Sequence, residues 1–151
     1  MNTFRTTLLT ALISLAISTP RTIAGQDVKT DLAHMQGEWV MTSGAADGYV
    51  MPESFLPQSR RVCKEDEVTV TVSGQLIMKA KITIDPSRTP KTIDYQVIDG
   101  PTKGQKQLGI YELNGDTLKS CFGAPGAARP TDFSSKPGDR RTYSVWKREK
   151  M

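Results

Sequence analysis

The feature that most constrains the fold is an Asn-Gly pair, Asn114-Gly115, in the middle of residues 108–122. Such a pair favours a type I′ turn, because both central positions of that turn need a positive φ. The stretches on either side alternate apolar and polar side chains, which is typical of strands with one buried face. The sequence therefore predicts a β-hairpin. Further strands must cover its apolar face, since a lone hairpin is marginally stable.

The rest of the chain supplies those strands at close spacing. Strand patterns occur at residues 37–43, 61–64, 68–73, 76–84, 93–97 and 141–148, in addition to the two arms of the hairpin. Turn-forming segments separate them, and residues 31–35 are typical of a short helical turn. We predict an all-β fold: an eight-stranded antiparallel up-and-down barrel with a short N-terminal helical turn. A two-layer β-sandwich is the competing architecture.

Closure would bring alternate side chains of these strands into one apolar interior. The residues expected to point inward are Trp39, Met41, Val68, Val70, Val72, Leu76, Met78, Ile82, Tyr95, Val97, Tyr111, Leu113 and Leu118. An eight-stranded barrel is either filled by such side chains or holds one small ligand. If a ligand is held, Met78, Tyr95 and Tyr111 favour a small apolar or aromatic molecule with one polar group.

Residues 1–24 are typical of a secretory signal peptide. Arg5 supplies the positive start, residues 8–17 form an uncharged apolar stretch, and residues 22–24 offer a cleavage site. The apolar stretch is too short to span a membrane. The cleavage region contains no cysteine, so we do not expect a lipid anchor. We expect residues 25–151 to form one exported domain, periplasmic or extracellular.

The charge pattern argues against a nucleic-acid partner. The full chain has a net charge of +4, with 20 basic and 16 acidic side chains. Removal of the signal peptide would take away Arg5 and Arg21 but no acidic residue. The remaining charges alternate in sign and form no basic stripe interleaved with aromatic residues. We therefore expect no nucleic acid among the partners.

Cys63 and Cys121 are the only cysteines. In an oxidising compartment they could form a disulfide, and two free, half-buried thiols on different strands are the alternative. The sequence leaves both open. His34 is the only histidine, and no Cys/His cluster is present. We therefore predict no metal site and no cofactor.

Catalytic residues are also not predicted. Asp94 lies on the outer face of a predicted strand and Asp99 lies in a Gly-Pro turn, where aspartate is common. Enzyme activity would have to depend on carboxylates such as Asp94 and Asp132, in a hydrolase. The favoured prediction is that the protein is not an enzyme.

The longest irregular segment, residues 123–139, is the main candidate for a binding loop. It carries Arg129 and Phe133 close together in sequence. One interpretation is a flap over the barrel mouth, in which Arg129 pairs with a ligand carboxylate and Phe133 covers the apolar part of the ligand. The other is structural: Arg129 pairs with Asp132 or a neighbouring strand, and Phe133 plugs the end of the barrel.

Gly37 and Trp39, on the first predicted strand, resemble the Gly-x-Trp signature of lipocalins. In that family the tryptophan closes the barrel base and is covered by a basic side chain from the end of the last strand. The resemblance implies that Lys147 or Arg148 covers Trp39, with Arg148 the better placed. A guanidinium stacks favourably on an indole ring. This sequence lacks the helix that lipocalins carry after their eighth strand.

The chain also resembles a lipocalin-like, calycin-type bacterial domain family of unknown function that is expanded in planctomycetes. The matching segments are residues 36–39, 85–87, 90–94, 99–101, 108–119, 124–126 and 129–133. They extend over nearly the whole predicted mature chain. The resemblance implies a small β-barrel, often exported, that has no assigned activity and no catalytic residues to carry over.

These observations predict an exported, non-enzymatic binding module that holds a small apolar ligand in a lipocalin-like barrel. The residues expected to contact the ligand are Met78, Tyr95, Tyr111, Arg129 and Phe133. The alternative is a protein-interaction or inhibitor-like barrel that acts through its loops around a filled core. A packed interior beside an exposed apolar patch near Phe55 and Phe133 would favour that alternative.

Overall fold

The computed structural model describes residues 24–150. Its elements are α1 (Ala24–Met35), β1 (Gly37–Ala46), β2 (Tyr49–Val50), a 3-10 turn (Leu56–Gln58), β3 (Ser59–Lys64), β4 (Glu67–Val72), β5 (Gln75–Asp85), β6 (Lys91–Asp99), β7 (Lys106–Asn114), β8 (Thr117–Phe122) and β9 (Thr142–Arg148). The predicted signal peptide lies outside the described residues except for its last position, and it stays a prediction.

Eight strands close into the predicted antiparallel up-and-down barrel. From β3 to β9 each strand pairs with the next one along the chain, and β1 closes the ring by pairing with both β3 and β9. The short β2 pairs only with the last two residues of β1 and lies outside the ring. Closure gives each barrel strand two neighbours, which removes long free edges. The competing sandwich prediction was therefore wrong.

The predicted hairpin joins β7 to β8, but its turn is of a different type. Asn114 pairs with Thr117, so the two turn residues are Gly115 and Asp116. Gly115 has a φ of 57°, whereas Asp116 does not have a positive φ. A positive φ at the first central position alone is typical of type II′ rather than type I′. The asparagine is the last residue of its strand.

The helix is longer than the predicted turn at residues 31–35. Val28, Leu32 and Met35 recur at helical spacing and pack against the barrel core. The first half of the helix was not predicted, because Val28 is the one large apolar residue among the polar residues 26–31. Within residues 24–150, no helix is long and apolar enough to cross a membrane.

The barrel core contains most of the predicted inward residues, with Leu76 as an exception. Val70 pairs with Met78 and Thr71 pairs with Leu76, so Ile77 is an extra residue in β5. This bulge changes which side chains point inward. Leu76 lies on the outer face opposite Thr71, where it is 37% exposed.

The two ends of the barrel are built differently. At the closed end are α1 and the turns that join β3 to β4, β5 to β6 and β7 to β8. At the open end are β2, the 3-10 turn, the β4–β5 turn, the β6–β7 loop and the beginning of the segment 123–141. Any site inside the barrel is therefore entered from the open end.

Candidate functional site

Trp39 and Arg148 secure the closed end. The indole of Trp39 is 0% exposed, and its Nε1 donates a hydrogen bond to the Met35 carbonyl at 2.9 Å. The Arg148 guanidinium lies 4.2 Å from the centroid of the Trp39 ring, the position that the lipocalin resemblance implies. Arg148 also donates to the carbonyls of His34 and Gln36. These bonds satisfy carbonyls at the C-terminal end of α1.

Asp31 forms a second polar group at the closed end. It lies on α1 and is 9% exposed, and its Oδ2 accepts hydrogen bonds from Lys91 Nζ at 2.8 Å and the Tyr111 hydroxyl at 2.6 Å. Burial, reinforced by the bond to the Asp31 carboxylate, raises the pKa of Tyr111. The Tyr111 hydroxyl is therefore bonded to the helix, which differs from its predicted role as a ligand contact.

Arg61 on β3 is the functional candidate that sequence analysis missed. It pairs in register with Trp39 on β1 and Val70 on β4, both inner-face residues, so it points into the barrel. Its side chain is 1% exposed, and Nη1 and Nη2 have no hydrogen-bond partner within residues 24–150. A buried charge without a partner costs several kcal/mol as an order of magnitude. Among the buried side-chain nitrogen and oxygen atoms of the described residues, Nη1 and Nη2 of Arg61 are the ones without a hydrogen-bond partner.

Hydropathy along β3 predicts that the face with Val62, and not the face with Arg61, lies inside the barrel. Arg61 and Cys63 alternate with Arg60, Val62 and Lys64, and by hydropathy alone Val62 belongs inside. Register with β1 decides otherwise, so Val62 is 38% exposed while Cys63 is 3% exposed. The burial preference of cysteine was the one local indication that the Arg61 face is the inner one.

An apolar cavity of about 310 Å³ lies at the open end, and we call it the mouth depression. Its lining consists of Met51, Pro52, Phe55, Ser59, Val72 and Ile77. Ser59 and Val72 pair across β3 and β4, and each is two residues from Arg61 or Val70 on the same strand. Two residues of strand span about 7 Å. The Arg61 layer is therefore the next layer of side chains below the mouth depression.

A groove of about 500 Å³ lies on the outer wall of the barrel. It is bounded by β5, β6 and residues 129–131, and it exposes threonine hydroxyls together with Asp85 and Asp94. Both carboxylates already have partners, because Asp85 accepts from Arg88 and Asp94 accepts from Arg129. The groove is separate from the barrel interior.

Residues 123–139 pack along the outer wall instead of covering the mouth. Arg129 Nη1 donates to Asp94 Oδ1 at 2.6 Å, which corresponds to the structural interpretation of pairing with a neighbouring strand. The Phe133 ring lies 5.4 Å from Lys119 Nζ on β8. Lys119 is on the outer face, so Phe133 neither closes on a ligand nor plugs the barrel. Both residues lie away from the interior candidates.

Met78 and Tyr95, the other predicted ligand contacts, remain inside the barrel. Tyr95 is buried and stacks on Phe122 with 4.1 Å between ring centroids. Met78 is half-buried and lies opposite Val70, in the same layer as Arg61. Of the five predicted contacts, Met78 is thus the one next to both Arg61 and the mouth depression.

Both cysteines are buried free thiols, so the disulfide alternative is not what the structure contains. Cys63 lies inside the barrel on β3, whereas Cys121 lies on β8 beneath the outer segment and donates to the Ser134 carbonyl at 3.4 Å. In the ring, β1 and β9 separate these strands. Burial raises the pKa of both thiols.

Two of the acidic residues considered for catalysis, Asp94 and Asp132, are held in separate ion pairs. Asp94 pairs with Arg129, and Asp132 pairs with Arg141 at 3.3 Å. His34 is exposed on α1. In the part of the chain that the structure describes, no three His, Cys, Asp or Glu side chains form a group that could hold a metal ion.

No family model, no curated protein and no solved structure matches this chain. The resemblance to the domain family expanded in planctomycetes therefore stays a prediction. The features of the barrel that bear on function are Arg61 and the mouth depression.

Proposed function

We propose that the protein is an exported, non-enzymatic binding module that takes up a small apolar molecule through the open end of its barrel. The observation that carries the proposal is the mouth depression, with a volume of about 310 Å³ and apolar walls. Ligand sites in proteins are typically concave, mostly apolar and a few hundred Å³ in volume. Among the lining residues, Ser59 supplies the one polar side chain.

The rim of the open end supports this proposal. Tyr49, Val50 and Phe55 are 75%, 80% and 50% exposed, although side chains of this size are usually covered in a folded protein. Clustered exposed apolar residues commonly mark a binding surface. An apolar ligand that enters the depression would cover part of this surface, beginning with Phe55.

Export and family membership belong to the proposal on sequence grounds. Export depends on the signal-peptide pattern of residues 1–24. Membership of the lipocalin-like domain family depends on the matching segments of the mature chain. Neither is needed for the binding proposal, which depends on the barrel alone.

Titration of the full chain with the neutral fluorescent probe N-phenyl-1-naphthylamine tests the proposal. We expect saturable binding, weakened on the order of tenfold by Ile77→Ser, because contact with an aliphatic side chain contributes about 1.5 kcal/mol or more. Leu76→Ser is the matched control: Leu76 is the neighbouring residue but points to the outer face. Absence of saturable binding, or equal effects of the two variants, would exclude the mouth depression as the site.

A protein-interaction barrel is the second candidate, favoured by the exposure of Tyr49 and Val50 on the two-residue strand β2. This function predicts no saturable probe binding. It also predicts that a Tyr49→Ser/Val50→Ser double variant loses a protein that co-purifies with the wild-type chain from its native host. If the double variant instead changes only probe affinity, the surface is the rim of a ligand site.

A further inference from the structure

We propose that the ligand carries a carboxylate, which binds the guanidinium of Arg61 while the apolar part of the ligand occupies the mouth depression. The inference rests on the proposed function, since it names the chemical class of the molecule that the barrel binds. That class is a single-chain amphiphile with one negative charge.

Arg61 has no partner for Nη1 and Nη2 among the described residues. Arginine is effectively always charged in proteins, so burial cannot be relieved by loss of a proton. Asp31 is the one buried carboxylate among residues 27–150, and its Oδ2 already binds Lys91 and Tyr111. No described acidic side chain is therefore placed to neutralise Arg61 inside the barrel.

Cys63, the nearest titratable group on the same face of β3, does not fill this role. Burial raises the pKa of its thiol, and the nearby Arg61 charge only partly offsets that effect. The thiol is therefore neutral at pH 7. Its S–H also points to the Glu65 carbonyl at 3.8 Å.

The other partly buried arginines show how this fold treats a structural guanidinium. Arg129 pairs with Asp94 at 2.6 Å, Arg141 with Asp132 at 3.3 Å and Arg148 with Asp116 at 3.1 Å. Each of these side chains is at least 26% exposed. Arg61 is the most buried of the four and the one with unpartnered Nη atoms. A structural role does not explain this difference.

The position of Arg61 sets the orientation of the ligand. Arg61, Val70 and Met78 lie side by side on β3, β4 and β5, directly below the mouth depression. The charged site is thus deep, and the apolar walls lie between it and solvent. A carboxylate bound there would direct its chain towards the open end. Met78, with a flexible thioether side chain, can adapt its rotamer to the first carbons of that chain.

The shape of the guanidinium favours a carboxylate over other anions. Its planar fork presents two parallel N–H donors that match the two oxygens of a carboxylate. Binding would satisfy Nη1 and Nη2 together, the two atoms that lack partners in the fold. A cationic head group would meet repulsion at the same position, and a neutral one would leave the charge uncompensated.

Competition experiments on the full chain test this inference. Decanoate, 1-decanol and decylamine share a ten-carbon chain and differ in head-group charge, and each is titrated against bound N-phenyl-1-naphthylamine. We expect decanoate to displace the probe at concentrations on the order of tenfold to 100-fold lower than 1-decanol, as hydrogen bonds to charged groups would give. Decylamine should compete least.

Arg61→Met removes the charge but keeps an unbranched side chain, and it should abolish the advantage of decanoate. The matched control is Arg60→Met. Arg60 is the neighbouring residue, on the outer face, where its side chain is 43% exposed and paired with Glu149. The control should keep the wild-type preference. No preference in the wild-type chain, or a preference that survives in Arg61→Met, would overturn the inference.

The two proposals fail in different ways. If the probe does not bind the wild-type chain, the binding module itself is excluded. If the probe binds but decanoate and 1-decanol displace it equally, only the carboxylate inference falls. Should Arg61→Met fail to fold, the Tm of the wild-type chain decides the question: decanoate must raise it more than 1-decanol at equal concentration, and equal shifts refute the inference.

Discussion

The two buried charged residues among residues 27–150, Asp31 at the closed end of the barrel and Arg61 deep on its inner face, have opposite environments. Asp31 accepts hydrogen bonds from a lysine and a tyrosine on two different strands. The terminal nitrogens of Arg61 have no such partner in the described chain. Because buried polar groups are nearly always satisfied, the unpartnered nitrogens of Arg61 need an explanation that Asp31 does not, and the proposed ligand supplies one.

The large apolar side chains differ between the ends in the same way. Trp39, at the closed end, is completely buried, whereas Phe55, at the open end, is 50% exposed. The closed end is therefore the tightly packed end of the barrel, and the open end is the one that the binding proposal concerns. Mutations at the two ends should separate these roles.

The largest effect is expected for Trp39→Ala. Truncating a buried tryptophan should lower the free energy of unfolding by about 3–5 kcal/mol, through lost burial and the cavity left behind. Phe55→Ala is the comparison at the open end, with an expected loss of about 0.5 kcal/mol and weaker probe binding. Urea denaturation followed by tryptophan fluorescence measures both, with Trp146 as the remaining reporter. Equal losses would contradict the division between the ends.

Asp31→Asn and Arg61→Met should change stability in opposite directions. Asp31→Asn weakens the bonds to Lys91 and Tyr111, so we expect a loss of about 2–4 kcal/mol. Arg61→Met removes an uncompensated buried charge, so we expect a gain of about 1–3 kcal/mol without ligand. Urea denaturation without any amphiphile provides the measurement. A loss of stability in Arg61→Met would mean that the guanidinium has a structural role.

Tyr111→Phe should have a smaller effect that depends on pH. Loss of the hydrogen bond to Asp31 should cost about 1.5 kcal/mol at pH 7. Folding raises the pKa of Tyr111 above its ordinary value of about 10. The folded state then binds more protons than the unfolded state above pH 10, so the tyrosine's contribution is complete below pH 10 and declines as the pH rises. The difference between wild type and variant should therefore be constant up to about pH 9 and shrink as the pH rises above about 10, and an unchanged difference at pH 11 would contradict this.

The smallest effect is expected for oxidation of the thiols. Cys63 and Cys121 lie on strands separated by two others, so a mild oxidant should leave Tm unchanged. Alkylation after unfolding, followed by mass spectrometry, should find two modified cysteines in oxidant-treated protein. A species that takes up no alkyl group would show that the two cysteines had become bonded to each other.

Much of the fold could be predicted because its determinants are local. Alternation of apolar and polar residues along Val68 to Val72 marks a strand, and Gly115 marks a turn, without reference to distant residues. The position of Arg148 over Trp39 follows from a resemblance at the two ends of the chain. The placement of Arg129 and Phe133 was not predictable in the same way, because the sequence assigns them to a loop but not to a wall of the barrel.

The sequence alone predicted eight barrel strands in antiparallel order along the chain, although it did not predict the two-residue strand β2. These properties depend on neighbours a few residues apart. The pairing of strands in three dimensions was needed to show that Arg61 faces inward and Val62 outward, that a bulge at Ile77 turns Leu76 outward, and that residues 123–139 cover the outer wall. The physical reason is that strand register is set by pairing across the sheet, and a shift of one residue exchanges the two faces of a strand.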